Sequence, residues 1–123
     1  MPDIKSVVDS YIAMWNETDP HRRRALVAET VTADARYLDP VMTGEGIDGI
    51  DEMIAAAQQQ FPGHRFALVA GPDAHHDQVR FTWSLASDGS APVAAGVDFA
   101  TTAPDGRLRT VTGFLERSGT AAA

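Results

Sequence analysis

An α+β fold is expected for this chain, with three N-terminal helices packed on an antiparallel sheet built from the second half. Three observations predict it. Apolar residues recur at spacings of three and four in two stretches of the first half, Ile4 to Trp15 and Ile47 to Ala57. From residue 65 the pattern changes to short β-rich runs separated by Asp-Gly turn signals. The 123 residues, 44% of them hydrophobic, suit one domain around one core, and helices first with strands second is the α+β arrangement.

In "DIKSVVDSYIAMWN", Ile4, Val8, Tyr11, Ile12 and Trp15 fall on one face of a first helix. Asp19 before Pro20 reads as an N-cap followed by proline at the first helical position, opening a second helix through "HRRRALVAETV". After "ARYLDP", the spacing of Ile47, Ile50, Ile54 and Ala57 predicts a third helix, stopped by Gly63 after Phe61-Pro62. The runs "RFALVA", "QVRFTWSL", "APVAAGVDFATT" and "RLRTVTGFLE" are expected strands. No repeat or linker divides residues 1–123, and the tail from about 118, "SGTAAA", is expected to fray.

A formal net charge of −7, with acids spread along the chain, argues against nucleic acid or an anionic membrane surface as partner. The basic run His21–Arg24 is expected to be a solvated helix face. No apolar run is long enough for a membrane span and no leader pattern opens the chain, so a cytoplasmic protein is expected. Without cysteine there are no disulfides, thiol nucleophiles or thiolate metal sites. His75 and His76 are adjacent, so their side chains would diverge, and no metal is expected. No Gly-rich phosphate loop supports a nucleotide, and no cofactor is expected.

The strand faces can be argued from the turn. With Asp88-Gly89 as a two-residue hairpin loop, Trp83 would face Ala94, Phe81 would face Gly96 and Val79 would face Asp98. Large residues then oppose small ones on an apolar face that also carries Asp98, while Arg80, Thr82 and Ser84 point outward. Shifting the register by one residue would turn both aromatics and the acid together. Asp39 precedes a proline and a Gly-containing loop, which suits a turn former as well as a group at a pocket mouth. Tyr11 suits a core aromatic with its hydroxyl at a rim. All three are predicted to converge on one cavity, where burial raises a carboxyl's pKa and two acids are driven apart into an acid and a base.

The stretches "VVDSYIAMWNETD", "DARYLDP", "GIDGIDEMI" and "GVDFATTAPDGRLRTV" resemble the nuclear transport factor 2-like superfamily, in its SnoaL-like and ketosteroid isomerase-like branch, from about Val7 to Leu115. The resemblance implies a conical, cystatin-like α+β fold with a curved sheet enclosing a pocket, and commonly a homodimer through the outer sheet face. It places Tyr11 on the family's tyrosine donor to the substrate oxygen, Asp39 on the aspartate general base, and Asp98 on the protonated aspartate giving the second oxyanion bond. Ile54 stands where isomerases of this type carry a supporting tyrosine. SnoaL-like cyclases, in which an acid on the later strands moves the proton, give Asp98 the leading role.

The expected function is cofactor-independent acid–base chemistry on an apolar, carbonyl-containing compound of the polycyclic ketone or polyketide type, passing through an enolate. The alternative is a non-catalytic container for a hydrophobic small ligand. Trp15, Phe61, Phe81, Trp83 and Phe114 are expected to wall the pocket, with His64 at its rim. Epoxide hydrolysis would need an arginine bridging the acids, and Arg80 is expected to point away.

Overall fold

The computed structural model describes residues 3–116, so the tail expected to fray lies outside the described residues. Helix α1 spans Ile4–Asn16, with the Asp3 carboxylate accepting from the Ser6 N–H at its start. Helix α2 spans Pro20–Thr30 and is capped by Asp19, which accepts from the Arg22 N–H while Pro20 occupies the first turn. Strands β1 (Val31–Leu38) and β2 (Thr43–Glu45) follow, then α3 (Gly46–Gln60), β3 (His64–His75), β4 (Gln78–Ser87), β5 (Ala94–Thr102) and β6 (Leu108–Glu116).

The six strands form one sheet in the order β2-β1-β6-β5-β4-β3. Every neighbouring pair is antiparallel except β1 with β6. This arrangement corrects the expectation in two places. The second helix ends at Thr30 rather than running through Val31, and β1 and β2, unpredicted, extend the sheet beyond β6. Register irregularities between Leu68 and Asp73 in β3, and between Val31 and Arg36 in β1, mark where the sheet bends around the helices.

Val8, Tyr11, Met14 and Trp15 of α1, Ile50, Met53, Ile54 and Ala57 of α3, and Val27 of α2 pack into the same core as Val31, Phe81 and Val111 of the sheet. The basic run at the start of α2 is not uniformly solvated. His21, Arg22 and Arg24 are exposed, but Arg23 is buried, with its Nε 2.8 Å from Asp51 Oδ1 and its Nη1 3.2 Å from Gln58 Oε1. Long aliphatic stems let arginine lie under a helix while its head finds partners. On the sheet's outer face the rings of Phe99 and Phe114 meet edge to face at 5.8 Å. Among the described residues no helix is long and apolar enough to cross a membrane.

Candidate functional site

The β4–β5 hairpin brings Asp98 inward. Ser90 N–H donates to Ser87 O, so Asp88-Gly89 does turn the chain, but ladder pairing resumes only at Leu85 and Ala94. The register therefore differs by two residues from the expected one: Trp83 pairs with Gly96 and Phe81 with Asp98. A two-residue shift leaves the side-chain faces unchanged, so Trp83, Phe81 and Asp98 share the concave face. Gly96 has a specific role there. A methyl group on it would lie 2.6 Å from the Trp83 ring, so only glycine lets the indole cross its partner strand.

The crossing indole reaches Asp98. Trp83 Nε1 donates to Asp98 Oδ1 at 3.0 Å, and Tyr11 Oη donates to Oδ2 at 3.1 Å. Asp98 is 2% exposed, and burial pushes its carboxyl up to about 6. The two hydrogen bonds oppose that rise and the nearby Asp39 adds to it. Burial, then the Asp98 charge, holds the Tyr11 phenol well above its ordinary range. Tyr11 is oriented by Asp98 and by the ring of Phe81, 5.4 Å away at 69°, while Ile54 is fully buried in the core.

Asp39 sits just beyond β1, and both of its readings hold. Its Oδ1 accepts from the Val41 and Met42 N–H groups at 2.7 and 2.9 Å, which closes the turn. Its Oδ2 accepts from the hydroxyl of Tyr37. Burial, and then the bond to Asp39, pushes the Tyr37 phenol up. The two acid groups approach each other across Gly113 of β6, which pairs with Asp98. A methyl on Gly113 would lie 2.9 Å from Asp98 Oδ1, 3.2 Å from Asp39 Cβ and 3.4 Å from Tyr37 Oη.

These groups open into a cavity of about 270 Å³ whose walls include Tyr11, Trp15, Asp39, Phe61, Trp83 and Asp98, all named from the sequence. Tyr37, Phe66 and Met42 also line it and were not foreseen. Tyr37 could have been found by reading "ARYLDP" as a strand, since Ala35, Tyr37 and Asp39 then fall on one face.

Three expected wall or rim residues lie elsewhere. Phe81 is 1% exposed and sits behind Tyr11 in the core, outside the lining. Phe114 is on the opposite face, because its neighbour Gly113 takes the inward position. His64 lines an adjoining hollow of about 280 Å³ that shares Trp15, Phe61 and Phe66 with the main cavity, and its Nδ1 lies 3.0 Å from Pro62 O. Arg80 pairs with Asp73 at 2.9 Å on the exposed side, away from both acids. Among the described residues no three His, Asp or Glu side chains come together as a metal site. His75 and His76 do not diverge as expected: the positive φ of His76 turns the chain, and their Nδ1 atoms lie 3.1 Å apart.

The SnoaL-like domain family model matches residues 8–111. A proposed isomerase of the SnoaL-like family from Agrobacterium tumefaciens is 45% identical, with 91% of this chain and 96% of that one covered, at a TM-score of 0.87. Two more distant structures share the fold. An NTF2-like protein of unknown function from Exiguobacterium is 14% identical, covering 91% of this chain and 99% of its own, at a TM-score of 0.71. A proposed polyketide cyclase from Sinorhizobium meliloti is 18% identical, covering 92% and 94%, at a TM-score of 0.67. Among curated proteins, none matches the sequence.

Proposed function

This chain belongs to the SnoaL-like family, and from that premise we propose that it moves a proton at the carbon next to a carbonyl in an apolar small molecule, through an enolate. The observation that carries this reading is the pair of bonds on Asp98. An indole N–H can only donate, so Trp83 fixes Oδ1 as an acceptor. When Asp98 is protonated the proton therefore belongs on Oδ2, beside the hydroxyl of Tyr11. Two O–H donors then meet at one spot on the wall of a mostly apolar cavity, which is the arrangement an enolate oxygen needs.

Asp39 is the base in this scheme. Three donors hold it in place, and the rest of its Oδ2 remains for a substrate proton. Return of the proton to a different carbon is an isomerisation; attack of the enolate on a second carbonyl is a cyclisation. The isomerase and cyclase descriptions of the similar proteins support this class of chemistry.

Exchange of deuterium into a small cyclic ketone, followed by NMR, tests the reading. Asp39→Asn is expected to abolish exchange while leaving ketone affinity within about twofold, and exchange by the parent chain should fall as pH rises through about 6, where Asp98 loses its proton. Exchange that survives Asp39→Asn removes Asp39 from the base role. A rate that instead climbs through that pH makes Asp98 the acceptor, as in the cyclase-type scheme.

A further inference from the structure

Chemistry at a carbonyl leaves one property of this cavity unused. Two carboxyl groups, Asp39 and Asp98, open into it, and among the described residues no lysine, arginine or histidine lines it. Both acids are satisfied by uncharged donors alone: backbone N–H groups, an indole and two phenols. Four arginines elsewhere pair with other acids, Arg23 with Asp51, Arg24 with Asp48, Arg80 with Asp73 and Arg107 with Asp105. The net charge of −7 adds to the negative potential inside.

The walls between these acids are aromatic. Tyr37, Trp15, Phe66 and Trp83 follow one another with ring centroids 5.5, 5.2 and 5.6 Å apart. The face of an aromatic ring is electronegative and attracts a desolvated cation within about 6 Å of its centre. Buried carboxyl groups without a basic partner and a wall of electron-rich rings therefore favour the same kind of guest.

We propose that the cavity binds an organic cation, a tertiary or quaternary alkylammonium group carried on a small apolar body. Alkylation suits the site better than a bare ammonium. The methyl groups need no hydrogen bonds from the apolar wall, and the diffuse charge is cheaply desolvated. Size agrees: at protein-like packing a cavity of about 270 Å³ holds roughly 200 Å³ of ligand, enough for one ring bearing a trimethylammonium group.

The affinity depends on pH. Asp98 is faced by Tyr11 from α1, Trp83 from β4, and Tyr37 and Asp39 from β1 and the turn beyond it, while Gly113 of β6 presents no side chain. Burial keeps both phenols protonated, so Asp98 is the group that changes the cavity's charge as pH passes about 6. Cation binding should strengthen as pH rises through about 6, the reverse of the trend expected for enolate chemistry.

Benzyltrimethylammonium and its neutral isostere neopentylbenzene, titrated into the full chain and read by Trp15 and Trp83 fluorescence or by calorimetry, form the test. At pH 8 the cation should bind at least about tenfold more tightly than the isostere, and the ratio should shrink by pH 5. In Asp98→Asn, which keeps an acceptor for Trp83, the preference should lose its pH dependence. Equal or tighter binding of the isostere, a pH-independent ratio in the parent chain, or no binding of the cation at millimolar concentration would overturn the proposal. Neither probe has a carbonyl, so the outcome does not depend on whether the chain exchanges protons of ketones.

Discussion

Trp83 and Gly113 set the terms on which Asp98 works. The indole leaves only one carboxyl oxygen free to carry a proton, and the missing side chain on β6 lets Asp98 and Asp39 open onto the same space. Gly113→Ala should force these groups apart, since the added methyl would sit 2.9 Å from Asp98 Oδ1 with Asp39 Cβ also close. Overpacking of this kind costs about 1–3 kcal/mol. A lowered denaturant midpoint together with lost ketone exchange is the expected result, and an unchanged exchange rate would show that the approach of the two acids is irrelevant. Tyr11, Asp39 and Asp98 were legible in the sequence because each combines a chemical handle with a clear position on an element. Tyr37 was not, because its strand was unread. Phe114 was misplaced because nothing in "RTVTGFLE" sets the parity; only the ladder with β5 shows that Gly113 faces in.

Among the elements, β1 shows where sequence patterning fails. "VTADARYL" alternates cleanly only from Ala35 onward, and its first two residues are both buried. Its parallel partner β6 is contributed by the far end of the described chain, so no local turn signal announces the pairing. The β4–β5 turn failed in a smaller way. Asp88-Gly89 marks the bend, but "SAPV" lengthens the loop before the ladder resumes, and the shift of two residues spared every face assignment. Helices α1 and α3 were read correctly because their apolar periods match their buried faces. The tie between α2 and α3 was invisible, since a basic run looks the same whether solvated or paired. Arg23→Ala should strand Asp51 and Gln58 and destabilise the chain by about 2–3 kcal/mol in urea denaturation. A change below about half a kcal/mol would mean that Arg23 is dispensable to the packing of α2 on α3.

For the molecule as a whole, the fold bends one sheet around three helices and leaves an acid-lined hollow beside the core. That placement couples stability to pH. Asp98 binds its proton more tightly folded, up to about 6, than unfolded, near 4, so its contribution is complete below about pH 4 and is lost as pH rises through 6. By linkage the chain should lose up to about 3 kcal/mol relative to Asp98→Asn between those limits. Thermal melts of both proteins at pH 4.5 and 7.5 should show the gap moving in the variant's favour at the higher pH. Parallel melting at both values would place Asp98 in contact with water.

The carboxyl carbon of Asp98, labelled with carbon-13 and followed by NMR from pH 3 to 9 in the ligand-free chain, tests the central claim most directly. A midpoint near 6 is predicted, with the Trp83 indole N–H resonance shifting over the same range. A midpoint near 4, the ordinary value for an aspartate, would mean that the group is ionised throughout the neutral range and cannot serve as a donor to an enolate.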